Sequence, residues 1–187
     1  DLPVNWNSDT SGSGEEWTVV SSRWDSPVQS AFAPGRESSG EASLLSPVFE
    51  LASSGGSLVF SHLYRLEPGF DGAVLEVSRN GGEWTDLMID PSVIATGGYN
   101  RGIREGFGSA IMGQQAWSGI LEVFTSVSVK LPVAWAGEMV QFRWRVVHDA
   151  SSARGGWWID NVRMEMLAED CEPHRPEVTL ALKSGVL

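Results

Sequence analysis

Apolar and polar side chains alternate singly along most of this chain, and the 3.6-residue spacing of an amphipathic helix is nearly absent. In Phe142-Arg143-Trp144-Arg145-Val146 a period of two sends Phe142, Trp144 and Val146 to one face and both arginines to the other. Strands of this kind must bury their apolar face against a second layer. Strands are predicted over residues 17–21, 29–33, 43–51, 57–67, 72–79, 120–130, 139–149 and 155–166. Turn clusters separate them, and strands at this spacing predict an all-β chain folded as a two-sheet antiparallel β-sandwich.

Local structure is most sharply specified over residues 73–86. Leu75 and Val77 share one face and Glu76 and Ser78 the other. Asn80-Gly81 then supplies the positive φ angles of a tight turn, and Glu83-Trp84-Thr85 opens the return strand. Residues 86–119 differ: Asp90-Pro91, Gly97-Gly98 and glycines at 102, 106, 108 and 113 predict a long irregular connection. Such a connection either caps one end of the sandwich or carries binding. Beyond Met166, Pro173 and Pro176 stand among charged residues. Residues 1–167 are therefore assigned to the sandwich module, and 168–187 to a linker and the start of a following module.

Charge and composition exclude several functions. The 187 residues hold 13 Lys plus Arg against 24 Asp plus Glu, a net charge of −11. This argues against nucleic acid as a partner, which needs a basic face, and against anionic lipid. No apolar run approaches the roughly 20 residues of a membrane helix, so membrane insertion is not expected. Asp1-Leu2-Pro3 lacks the basic start and apolar stretch of a leader, so a mature form or an excised segment is expected. The single cysteine, Cys171, permits neither an internal disulfide nor an all-cysteine zinc site. An acidic chain with 9 Trp and 21 Gly fits an exported β module that folds without disulfides, whether secreted, periplasmic or on the cell surface.

Alternation also assigns faces. With Leu75, Val77, Tyr64 and Leu66 inside, Glu76, Arg65 and Glu67 fall outside with Arg143 and Arg145. If these strands are neighbours, one sheet carries a ladder of all five charges. The ladder reads either as a solvated face stapled by weak ion pairs or as a polar binding face.

Several of these stretches in order carry a family resemblance. They are Leu58-Val59-Phe60-Ser61-His62, then Glu67-Pro68-Gly69-Phe70-Asp71-Gly72 running on to Ser78, then Asn80-Gly81-Gly82-Glu83-Trp84-Thr85-Asp86-Leu87. Tyr99-Asn100, Ala116-Trp117-Ser118-Gly119, Val140-Gln141-Phe142-Arg143-Trp144-Arg145 and Gly155-Gly156-Trp157-Trp158-Ile159-Asp160-Asn161-Val162 follow. The pattern resembles the MAM-like jelly-roll modules appended to bacterial secreted proteins, including metallopeptidases of the immune-inhibitor-A type. The resemblance implies a sandwich of jelly-roll type and a non-catalytic accessory role in a longer protein: adhesion, binding of a protein or carbohydrate ligand, or service to a hydrolase whose active site lies elsewhere. Neighbouring domains of that longer chain are then partners.

The residues themselves agree with a non-catalytic reading. Neither a Gly-x-Ser-x-Gly elbow nor a His-Glu-x-x-His motif is present, and His62, His148 and His174 sit in unrelated settings. Asp160 is a carboxylate among bulky apolar neighbours, so it needs a hydrogen-bond partner or a cation. In jelly rolls that resemble this one, the acid of Ile-Asp-Asn holds a structural calcium against the N-terminal segment. Here Asn5, Asp9, Glu15, Glu16 and Asp25 are the oxygens on offer, and Asp71 is a second candidate ligand or simply a turn residue. For a carbohydrate, Tyr99, Phe107 and Trp117 would form an aromatic platform with Arg101 and Arg104 as donors, unless these aromatics pin the long connection to the sandwich.

Overall fold

A computed structural model describes residues 1–166, so the linker, Cys171 and His174 lie outside the described residues. In chain order the strands are β1 (Asn7–Gly12), β2 (Thr18–Val20), β3 (Ser30–Pro34), β4 (Gly40–Leu45), β5 (Phe49–Glu50), β6 (Gly56–Arg65) and β7 (Gly72–Arg79). They continue with β8 (Thr85–Asp86), β9 (Ile94–Thr96), β10 (Arg101–Gly102), β11 (Gln115–Ala116), β12 (Ile120–Leu131), β13 (Met139–His148) and β14 (Gly156–Met166). The first sheet runs β1-β4-β13-β7-β8, with β5 also on β13, and the second runs β2-β3-β14-β6-β12-β9. Pairing is antiparallel throughout both sheets.

The two sheets face each other across the side chains that alternation turned inward. Phe142, Trp144 and Val146 of β13 are fully buried, as are Leu58 and Phe60 of β6 and Trp157 and Ile159 of β14. Phe60 meets Trp144 edge to face across the sheets, with centroids 5.6 Å apart at 87°. Each such side chain removed from water contributes about 1.5–3 kcal/mol or more. The predicted hairpin is present: Asn80 and Gly81 have φ of 54° and 71°, and Gly82 N donates to Arg79 O at 2.9 Å. These are the two positive φ angles of a primed turn.

Two expectations about strands need correction. The stretch 43–51 is two strands, because Pro47 has no N–H to give the ladder. Ser46 fills the break: its Oγ accepts from Phe142 N at 2.9 Å and its carbonyl accepts from Gln141 Nε2 at 2.8 Å. Strand β1 was not expected, since Asn-Ser-Asp-Thr-Ser-Gly is an exposed edge with no apolar face to alternate.

The charged ladder is also different from the expectation. Arg65 belongs to the second sheet, where it pairs with Glu122 at 2.8 Å, and Glu67 lies beyond the end of β6. On the first sheet's outer face Glu76 holds Arg143 at 2.6 Å and Arg145 at 2.8 Å, and Arg145 also holds Glu41 at 2.9 Å. This network is far from solvated. The Glu76 side chain is only 8% exposed, shielded by the long stems of the arginines beside it.

Candidate functional site

Gly72 stands opposite Val147 and Val74 opposite Arg145 on the outer face of the first sheet. Here residues 97–119 fold back over the sheet instead of capping the sandwich. Ile103, Ile111 and Ala116 pack on Val74 and Val147 as a small second core. Position 72 must be glycine for this, because a Cβ there would lie 2.7 Å from Ile111 Cδ1 and 2.9 Å from Ala116 Cβ and Ile103 Cδ1.

Hydrogen bonds hold the segment rigid. Arg101 and Gly102 of β10 pair with Ala116 and Gln115 of β11. Arg104 N donates to Gly69 O at 2.9 Å, joining the segment to the turn after β6. Ser118 closes the joint: its Oγ accepts from Gly69 N at 2.8 Å and donates to Asp71 O at 2.7 Å. Asn100 brackets Ser118, donating to its carbonyl at 3.1 Å and accepting from its N–H at 2.9 Å.

Two of the three aromatics expected to form a platform are turned toward the protein, Trp117 buried and Tyr99 half-buried. Trp117 is 1% exposed and sits between the sheets against His62, with ring centroids 4.9 Å apart. Its indole N–H donates to Gly97 O at 2.8 Å. The Tyr99 hydroxyl donates to Asp86 Oδ1 at 2.8 Å and accepts from Leu75 N at 3.0 Å, satisfying the edge of β7 beyond β8. Burial drives the Tyr99 phenol well above its ordinary pKa and raises the Asp86 carboxyl, whose bond from Tyr99 opposes the rise. Both aromatics pin the segment, because a large ring beside a sheet edge buries more surface than a loop tip would cover.

Arg104, one of the two expected donors, is at the surface, and the fold gathers others around it. Phe107 is 52% exposed between Gly106 and Gly108, whose φ angles are +85° and +81°. Phe70 meets it edge to face, with centroids 4.8 Å apart at 87°. The Arg104 guanidinium carbon lies 4.9 Å from the centre of the Phe70 ring. Arg101 converges on the same spot: a Cβ at Gly69 would lie 3.6 Å from Arg104 Nε and 3.7 Å from Arg101 Cδ. Burial raises the Tyr64 phenol pKa, and the positive charge of Arg101 opposes the rise. Among the described residues no carboxylate pairs with Arg101 or Arg104. Sequence reasoning missed Phe70. Its signal was an aromatic in a Glu-Pro-Gly turn, where no strand face exists to bury it.

The candidate metal residues are held by hydrogen-bond donors. Asp160 is fully buried, and its Oδ2 accepts from Asp25 N at 2.8 Å and Ser26 N at 3.0 Å. Its Oδ1 accepts from Asn161 N at 2.7 Å and Ser26 Oγ at 3.2 Å, and Asn161 Nδ2 donates to Asp25 Oδ2 at 2.9 Å. Asp160 and Asp25 thus come together, but through N–H and O–H groups, which satisfy a carboxylate and do not fit a cation shell. Asp9 lies on β1 of the other sheet. Asp71 is buried, accepting from Glu67 N at 3.1 Å and Asp149 N at 3.2 Å, with His148 Nδ1 at 3.7 Å. Among the described residues no three His, Cys, Asp or Glu side chains are grouped to hold a metal ion.

Comparison with known proteins places the fold. No family model matches the chain, and no curated protein matches its sequence. Among solved structures, one of the carbohydrate-binding modules of the β-sandwich superfamily matches over 86% of this chain at 9% identity and a TM-score of 0.53. That match spans 56% of the other chain. TmCBM61, solved with β-1,4-galactotriose, matches over 88% of this chain and 90% of its own at 15% identity and a TM-score of 0.52. A cleaved adhesin domain of Lys-gingipain from Porphyromonas gingivalis matches over 89% and 94% at 16% identity and 0.51. The chain has the β-sandwich fold of these modules. No helix among the described residues is long and apolar enough to cross a membrane.

Proposed function

We propose that this chain is a non-catalytic carbohydrate-binding module of an exported protein, with its ligand seated on Phe107, Phe70, Arg101 and Arg104. One observation carries the reading: exposed Phe107, half-buried Phe70 and two guanidiniums paired with no carboxylate among the described residues share one rigid patch. Sugar sites combine an aromatic surface with a few fixed polar donors, and rigidity lowers the cost of binding. The rival surface, on Glu76, Arg143 and Arg145, has its charges directed at one another, and Arg143 already lies 4.5 Å over the Trp84 ring. Structural neighbours described as carbohydrate-binding modules support this reading. The MAM-like resemblance supports an accessory place in a longer secreted chain, and the adhesin-domain neighbour fits the same setting.

The test is a glycan array followed by titration calorimetry. Phe107→Ala should weaken binding by about tenfold or more, near 1.4 kcal/mol, with melting unchanged. Trp84→Ala should leave affinity intact. Binding that survives Phe107→Ala and is lost in Trp84→Ala would move the site to the sheet face.

A further inference from the structure

We infer that the sugar bound at this patch is anionic, its carboxylate or sulfate held by Arg101 and Arg104 while its ring rests against Phe107. This rests on the carbohydrate-binding reading above. In a chain of net charge −11, Arg36, Arg65, Arg79, Arg143, Arg145 and Arg163 are each held by a carboxylate. Arg23, Arg101, Arg104 and Arg154 pair with none among the described residues, and of these Arg101 and Arg104 stand side by side over Gly69. The acids nearest in sequence are directed elsewhere. Glu105 is turned over Gly113, with Oε1 3.3 Å from where a Cβ would stand, and Glu67 Oε2 accepts from Ser151 Oγ at 2.6 Å. Asp71 is buried and takes the N–H groups of Glu67 and Asp149.

A pair of guanidiniums held this way has donors to spare and no anion among the described residues to receive them. Arginine presents a planar fork that matches carboxylate and sulfate oxygens two at a time. The Arg104 guanidinium already lies over the Phe70 ring, so less side-chain freedom is lost on binding. A neutral sugar would use Phe107 and leave most of this donor capacity idle, whereas an acidic one uses both.

The experiment presents the full chain to uronate-containing, sulfated and neutral oligosaccharides on one array. Calorimetry then compares the best acidic ligand with its uncharged counterpart. Acidic hits are expected, preferred at least tenfold at low salt and weakened as salt rises. Hits among uronates or among sulfated sugars both support the inference and tell the two groups apart. The double variant Arg101→Gln/Arg104→Gln should abolish the preference, bringing the acidic ligand down to the affinity of its uncharged counterpart, with the melting temperature unchanged. Hits confined to neutral glycans would overturn the anionic class and leave the carbohydrate reading standing. An array without hits would overturn both. Acidic binding undiminished in the double variant would remove these arginines from the site.

Discussion

His62 offers a direct measurement of how dry the interior is. It is 2% exposed on β6, among the rings of Phe60, Tyr64, Trp117 and Trp157, and its Nδ1 accepts from Trp157 Nε1 at 3.4 Å. Burial lowers its pKa from 6.5 to about 3. The folded protein therefore keeps this imidazole neutral over a range where the unfolded chain binds a proton. The stability from this site is complete above pH 6.5 and is lost as pH falls from 6.5 towards about 3. At about 1.4 kcal/mol per pH unit, lowering the pH from about 7.5 to about 5 should remove about 2 kcal/mol. The comparison is His62→Asn, which keeps an acceptor for Trp157 without a titrating ring. Urea unfolding of both proteins at the two pH values cancels the carboxylates they share. The wild type should lose about 2 kcal/mol more than the variant. Equal losses would mean that His62 is hydrated in the folded state, and the account of a closed aromatic interior would be refuted.

Two further perturbations test the architecture. Gly72→Ala drives a methyl into Ile111, Ala116 and Ile103, and should destabilise by about 1–3 kcal/mol through overpacking. Amide exchange should then speed up over residues 97–119 more than in β13; uniform protection would mean the segment is not seated on Gly72. Asp160→Ala strips the acceptor from Asp25 N, Ser26 N and Asn161 N, and should cost about 2–4 kcal/mol in chemical denaturation. Because those donors already satisfy Asp160, the wild-type melting temperature should be the same in calcium and in chelator. A clear rise with calcium would show that the native state binds the ion.

Much of the sandwich was legible in the sequence because alternation is a local code. Phe142-Arg143-Trp144-Arg145 could be assigned to faces without knowing its neighbours, and Asn80-Gly81 specified its turn through backbone φ alone. Which strands lie side by side is a different matter. Arg65 and Glu76 looked alike as outward charges, yet one faces Glu122 on the second sheet and the other two arginines on the first. Asp160 could be recognised as a carboxylate in need of partners, but those partners come from a loop about 135 residues earlier in the chain.

The candidate site divides along the same line. The long glycine-rich connection and its stock of aromatic and arginine residues were set by sequence, since composition and turn chemistry belong to each segment. Burial belongs to the whole molecule. Tyr99, Trp117 and Phe107 are comparable aromatics on one connection, and only the packing of that connection on β7 and β13 buried Trp117, half-buried Tyr99 and left Phe107 in solvent. Phe70 and Phe107 meet for the same reason: the bond from Arg104 N to Gly69 O joins their segments only once the connection has folded back over the first sheet.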